Sequence, residues 1–291
     1  MKIKQTMGEK VFDFSNIVFL FILCLVVLIP IVHIVAGSFS STNALIHSRV
    51  KLWPVDFNLD NYTQVMKNSS FWTSFRITVF IALVGTLINL LLTVLMAYPL
   101  SKSGLRGRKV FMLVIVFTMI FSAPLIPTYL VVKSIGLVNT LWALIIPSAI
   151  SMFNMILCLT FFKSLPEELF EAARVDGMSE YSILFKIAVP LSLPILVTLT
   201  LYYSVHHWNS YFSAMIYITK PELRPLQLYL YSMIAQGNTN DMASTIMEEM
   251  DTSPEGLKMA TIVVATVPIM LIYPFVQKHF IKGAMLGSLK E

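Results

Sequence analysis

Apolar residues run through this chain in long blocks, not at the alternating or 3.6-residue spacing of half-buried strands and surface helices. A helix needs about 20 mostly apolar residues to cross the hydrocarbon layer of a bilayer. Six blocks meet that length, at about 16–35, 71–100, 109–132, 140–162, 190–218 and 259–280. The pattern predicts an all-α integral membrane protein with six transmembrane helices, the second and fifth long enough to tilt or to project beyond the bilayer. The first block follows Lys2, Lys4 and Lys10 but lacks a small-residue cleavage site, so it reads as a retained anchor. The organisation expected is an N-terminal segment with the first helix and an outer loop over 1–70, a five-helix core over 71–280 and a tail over 281–291.

Composition sharpens this picture. Hydrophobic residues make up 56% of the 291, charged residues only 13%, and the mean hydropathy is +0.75, beyond what a soluble domain of this size carries. Cys24 and Cys158 lie far apart in apolar runs, so neither a disulfide framework nor a metal site is suggested. The net charge of +5 is spread over short loops, which encodes membrane orientation and not nucleic-acid binding. On the six-helix scheme thirteen Lys and Arg fall on one side and eight on the other, which places both termini inside. The short 101–109 connection, with Lys102, Arg106, Arg108 and Lys109, is the strongest local determinant.

The connection between the fourth and fifth blocks, 163–189, is longer and more charged than a turn requires. Ser164 followed by Glu167 matches a capping box with Pro166 in the first turn, so a short helix is expected to start there. Asp176-Gly177 supplies a residue able to take positive φ, and Ser179 can cap a second short helix running to Pro190. The segment reads Glu171-Ala172-Ala173, three residues, Gly177, nine residues, then Ile187-Ala188-Val189-Pro190.

This spacing resembles the EAA loop of type I ABC importer permeases, with Val189 where Leu is usual as the one departure. Six helices, the Phe280-Ile281-Lys282-Gly283 tail and the Trp208-Asn209 stretch are similar to the carbohydrate-uptake branch, the MalG-like subunits, and within it to YtcP/LplC-like oligosaccharide permeases. The resemblance implies a MetI-like permease fold in the bacterial plasma membrane that forms half of a translocation pathway for oligosaccharides. It implies a second homologous permease, two nucleotide-binding ATPase subunits that hold ATP and Mg, and an extracytoplasmic solute-binding lipoprotein. Glu171, Ala172, Ala173, Asp176, Gly177, Ile187 and Pro190 are then the ATPase-coupling residues. Short Ala172 and Ala173 let a helix approach a partner closely, Glu171 offers a carboxylate, and Leu169, Phe170, Met178 and Phe185 form an apolar patch for a partner groove. The alternative for this segment is an amphipathic loop lying on lipid headgroups.

No Gly-x-x-x-x-Gly-Lys-Ser/Thr loop is present, so ATP hydrolysis is assigned to other chains and no cofactor to this one. Neither His-Glu-x-x-His nor Gly-x-Ser-x-Gly occurs, and Glu248, Glu249 and Asp251 lack the spacing of a calcium loop. The chain is read as a permease and not an enzyme. The fifth block carries Tyr202, Tyr203, His206, His207, Trp208 and Asn209, a density of aromatic and hydrogen-bonding groups unusual for a spanning segment. Two readings stand for it: a surface on which sugar rings stack and hydroxyls bond, or an interfacial aromatic belt with interhelical hydrogen bonds. The outer loop 220–257 is polar, and the resemblance makes Gly237, Asn238 and Asn240 the contact for the binding protein. Pro124 and Pro127 predict a kink in the third helix. Two alternatives remain, the same architecture carrying a non-sugar solute and an ion-coupled secondary transporter. The second lacks the intramembrane carboxylates that such coupling needs.

Overall fold

The computed structural model describes residues 6–121, 123–235 and 253–288, and no strand forms among them. The helices in chain order are α1 (Met7–Ser38), α2 (Thr42–Ile46), α3 (Asp60–Lys67), α4 (Ser69–Ser101), α5 (Arg108–Ile120), α6 (Leu125–Ser134), α7 (Trp142–Ile145), α8 (Met152–Ser164) and α9 (Glu167–Val175). There follow α10 (Glu180–Ile183), a π turn over Leu184–Ala188, α11 (Val189–Leu191), α12 (Leu193–Trp208), α13 (Phe212–Tyr217), α14 (Leu226–Ala235) and α15 (Pro254–Ser288). Two compact units result: Met1–Ser69 with Ser232–Thr266, and Ser70–Tyr231 with Val267–Glu291.

In the first unit α1 starts at a capping box. Thr6 Oγ1 accepts from the Glu9 amide at 3.3 Å and Glu9 Oε2 from the Thr6 amide at 2.7 Å. The apolar stretch of α1 through Val35 is exposed or half-buried all round, as a lipid-facing helix is, and burial begins only at Ala36. There Ala36, Ala44, Leu45 and Val50 form a small core with Met259, and Asn61 Nδ2 donates to the carbonyls of Ser38 and Ser40. These bonds satisfy main-chain groups freed where α1 ends.

In the second unit α4 is a single 33-residue helix. Its buried side is rich in small and polar residues, Ser74, Thr78, Ala82, Gly85, Asn89, Thr93 and Ala97, beside the larger Phe71, Ile81 and Tyr98, whereas Phe80, Leu83, Leu87 and Leu91 are exposed. Small residues let backbones approach in a membrane, where apolar side chains gain nothing by leaving lipid. Thr78 Oγ1 accepts from the Leu226 amide at 2.7 Å, and Asn139, at φ 62°, accepts at Oδ1 from the Thr219 amide and hydroxyl and from the Lys220 amide.

Among the described residues three helices are long and apolar enough to span a bilayer, or up to five if each bent pair counts as one. The first, second and sixth blocks appear as the continuous helices α1, α4 and α15. The third is interrupted between Ile120 and Leu125, where Pro124 becomes the N-cap of α6 because its ring removes a donor. The fourth is not one helix: α7 stops at Ile145, Pro147 follows, and α8 restarts after Ser151, whose hydroxyl accepts from the Asn154 amide at 3.4 Å. The fifth divides into α12 and α13. The ten-residue apolar helix α14 lies within the stretch expected as an outer loop.

Candidate functional site

The 163–189 segment folds as two helical legs joined by a bend at Gly177. The first starts later than the capping box predicts. α8 continues to Ser164, whose hydroxyl donates to the Phe161 carbonyl at 2.7 Å, and Pro166 is the N-cap of α9. Pro166 explains the shift, because its preceding residue, Leu165, is pushed into extended backbone at ψ 142°. Gly177 takes φ 78°, closing α9 through Gly177 N–H to the Arg174 carbonyl and Met178 N–H to the Ala173 carbonyl, both at 3.0 Å. Ser179 caps α10 as expected, accepting from the Ser182 amide at 3.3 Å. The leg over 180–191 then meets α12 at an angle of 83°.

The faces of α9 are sharply divided. Phe170 and Ala173, one turn apart, are buried at 1% and 5% exposure in a core with Tyr98, Phe162 and Ile183. Phe170 is therefore not part of a patch open to a partner; its ring lies 6.3 Å from that of Tyr98. Leu169 and Phe185 are exposed and Met178 is half-buried, while Val175, which sequence reasoning did not single out, is 88% exposed. Glu171 and Ala172 lie on the exposed side, and the Glu171 carboxylate has no hydrogen-bond or ion-pair partner among the described residues. Asp176 and Gly177 are exposed at the bend, Ile187 is half-buried and Pro190 is exposed.

Charged groups ring the buried Phe170. Lys102 Nζ lies 3.4 Å from the centre of its ring and donates to Glu167 at 3.0 Å. Arg174 Nε donates to Glu180 Oε1 at 2.8 Å and its Nη1 lies 3.6 Å from Glu167. The Arg174 hydrogen bond holds the Glu180 carboxyl below its ordinary range. A cleft of about 940 Å³ opens beside this ring, and Lys102, Gly104, Glu171 and Tyr181 are among its lining residues.

The polar stretch of α12 separates into two faces. Tyr203 and His207, one turn apart, are 2% exposed and meet Thr93 and Asn89, also one turn apart, on α4. Tyr203 Oη bonds Thr93 Oγ1 at 2.7 Å and accepts from the Ser151 amide at 3.4 Å; His207 Nε2 lies 3.4 Å from Asn89 Oδ1. Asn89 Nδ2 donates to the Ser148 carbonyl at 3.0 Å. Ser148 and Ser151 are in the interruption between α7 and α8, so this network satisfies main-chain groups that a broken helix leaves unpaired away from water. Gly85 belongs to the same contact, since a Cβ there would stand 2.5 Å from His207 Nε2. Trp208 is buried edge-on to Phe75 and borders a groove of about 470 Å³ between α4, α12 and α15.

Tyr202 and His206, followed by the C-cap residue Asn209, are at helical spacing along a different face of α12. Tyr202 is half-buried, and His206 and Asn209 are exposed. The six polar candidates thus divide between a sealed interior and an open stripe. Gly237, Asn238 and Asn240 lie outside the described residues. Among the described residues no group of His, Cys, Asp and Glu is placed to hold a metal ion.

Known proteins share this architecture along nearly the whole chain. The polygalacturonan/rhamnogalacturonan transport system permease protein YtcP of Bacillus subtilis strain 168 is 40% identical over 289 residues, which cover 98% of this chain and 100% of that protein. Protein LplC of the same organism is 41% identical over 286 residues, 98% and 97% of the two chains. A chain in the crystal structure of a bacterial ABC transporter involved in import of the acidic polysaccharide alginate matches with a TM-score of 0.91 and 37% identity, over 96% of this chain and 100% of that one. A chain of the bacterial alginate ABC transporter, crystallised with its alginate pentasaccharide-bound periplasmic protein, shares the fold at a TM-score of 0.61 and 16% identity, over 92% and 94%. The family model for the binding-protein-dependent transport system inner membrane component matches residues 89–285, and the chain belongs to that family.

Proposed function

We propose that this protein is the permease subunit of an ATP-driven importer of oligosaccharides, forming half of the translocation pathway with a second homologous permease. Two ATPase subunits holding ATP and Mg drive it, and an extracytoplasmic solute-binding lipoprotein feeds it. Uronate-containing chains are the favoured cargo, because the transport systems named for polygalacturonan and alginate both carry acidic polysaccharides. The termini and the 163–189 segment face the cytoplasm in this scheme, as the Lys and Arg asymmetry requires.

The observation that carries the reading is the division of α9. Phe170 and Ala173 anchor it to the membrane core, which leaves Glu171, Ala172 and Val175 outward at the bend made by Gly177. A short helix with a free carboxylate, a small side chain and an apolar tip is suited to a groove with a basic rim on another subunit. Asp176 stands at the C-cap, and Ile187 and Pro190 continue the leg that enters α12, so displacement of α9 is passed to the pathway helix.

Along α12, Tyr202, His206 and Asn209 supply the sugar-facing surface, a stripe of an aromatic ring and hydrogen-bonding groups that is unfavourable against lipid. Tyr203 and His207 support that surface from behind and Trp208 borders it. Gly237, Asn238 and Asn240 receive the binding protein. The coupling assignment is tested by Glu171→Lys in the intact assembly. Loss of the ATPase subunits on purification, with normal membrane insertion, is expected; unchanged recovery and activity would remove Glu171 from the interface.

A further inference from the structure

The covalent chain connects α9 to α8 on one side and to α12 on the other, through the 180–191 leg. It does not connect α9 to α4, although α4 forms one wall of the 470 Å³ groove and holds the Asn89 and Thr93 side chains that meet α12. The contact between α9 and the end of α4 is therefore the direct route by which a displacement of α9 reaches α4, the other running through α12 and its Tyr203–Thr93 and His207–Asn89 contacts.

That contact is a closed circuit of five side chains. Tyr98 is in the last turn of α4, and Lys102 directly follows its last residue, Ser101. Lys102 Nζ donates to Glu167 at 3.0 Å, and Glu167 lies 3.6 Å from Arg174 Nη1. Arg174 Nε donates to Glu180 Oε1 at 2.8 Å, and Glu180 Oε2 accepts from Tyr98 Oη at 3.1 Å, which returns the circuit to α4. Glu167 is the first residue of α9, Arg174 is in its last turn and Glu180 lies beyond the bend, so both ends of the helix and the turn after it are held. The Phe170 ring fills the centre beneath Lys102 Nζ.

Lys102 is the member that distinguishes this circuit from ordinary surface ion pairs. Its side chain is only 16% exposed, against 56% for Glu167, so its charge is partly withdrawn from water and directed at a carboxylate and a ring face together. Such a cation is held more tightly than a solvated one, and Glu167, Arg174 and Glu180 each have two partners in the circuit.

We propose that Lys102 and Tyr98 are positioning residues which lock the coupling helix α9 to α4, so that α4 and α9 move as one body when the ATPase subunits change state. This rests on the coupling role given to α9 above. Glu171 is outside the circuit: it borders the same cleft but stays unpaired, which leaves the face offered to a partner separate from the face locked to α4.

The test uses the full transporter with its ATPase subunits. Spin labels are placed at Gly104→Cys, in the connection after α4, and Tyr181→Cys, in α10 beyond the bend, both exposed and both lining the cleft, in a background with Cys24→Ser and Cys158→Ala. One narrow distance is expected, the same without nucleotide and in the vanadate-trapped state. Lys102→Met keeps an unbranched side chain and removes the charge, and the single distance should be lost to a broadened or split distribution in the trapped state. Lys102→Arg restores the cation and should restore the single distance. Glu167→Gln repeats the test from the other side of the bond if Lys102→Met does not assemble. A distance that changes with nucleotide in the unsubstituted protein, or an unaltered distance in Lys102→Met and Glu167→Gln, would overturn the lock. Absence of ATPase subunits from the unsubstituted complex would instead count against the coupling role of α9.

Discussion

Substitution of Gly177 separates two causes of failure that usually occur together, bulk and backbone conformation. The residue has φ 78°, and a Cβ built on it would meet nothing within 4 Å, so a side chain has room and only the torsion is costly. For a residue with a Cβ that region costs roughly 1–2 kcal/mol, more for a β-branched side chain and least for Asn. A penalty of that size changes a two-state population about 5- to 30-fold. The bend is closed by three main-chain bonds of 3.0 Å, from the amides of Asp176, Gly177 and Met178, and is spanned by the Arg174–Glu180 bond, so the torsional cost is set against these contacts. If the bent loop is the form that docks, the apparent affinity for the ATPase subunits falls by the fraction of loops that remain bent. Gly177→Ala should weaken recruitment by up to about that 5- to 30-fold factor, Gly177→Val by more, and Gly177→Asn should stay near wild type. Titration of purified ATPase subunits against the detergent-solubilised permease pair reads this directly. Wild-type affinity in Gly177→Val, or equal losses in Gly177→Asn and Gly177→Val, would refute the reasoning.

Other perturbations reach different parts of the structure. Gly85→Ala would drive a Cβ to between 2.5 and 2.9 Å of the buried His207 ring, and overpacking of this kind costs about 1–3 kcal/mol; a lowered melting temperature in detergent checks it. Tyr203→Phe leaves Thr93 Oγ1 and the Ser151 amide short of a partner, for a loss of about 1 kcal/mol read from the same melts. Glu180 titrates below its unfolded value because of Arg174, so its contribution is fully present above the unfolded carboxyl pKa and lost as pH falls through the lowered folded one. The difference in stability between wild type and Glu180→Gln should accordingly be present at neutral pH and vanish in acid. His206→Ala with Asn209→Ala should reduce uptake while ATPase recruitment stays unchanged; equal uptake would remove the open stripe of α12 from the pathway.

The bend and the division of hydrophobic blocks were legible in the sequence because each depends on local chemistry. Gly177 and Ser179 declare a turn and a cap whatever surrounds them, and α1 and α4 follow from apolar length alone. What depends on contacts between distant residues was not legible. One local signal also needs its neighbour to be read: Ser164 looks like a cap until Pro166, two residues on, fixes Leu165 in extended backbone and moves the helix start. The fourth block is apolar enough to span, yet it breaks near Pro147, because Asn89 and Tyr203, 59 and 52 residues from the groups they bond, satisfy the freed main chain. The polar residues of α12 could not be sorted into two faces from composition, since both the sugar and the packing readings use the same side chains. Lys102 reads in the sequence as one more orientation charge; only the fold places it over Phe170 and against Glu167.

The central claim is that this chain moves oligosaccharide on the energy of ATP supplied through other subunits. Its most direct test is uptake by liposomes containing the chain, its partner permease and the ATPase subunits, with binding protein outside, ATP enclosed, and galacturonan and alginate oligosaccharides as probes. Uptake that requires both ATP and binding protein, and that is lost in Glu171→Lys, is the predicted result. Uptake by the chain alone down an ion gradient, with no ATPase recruited, would contradict the account.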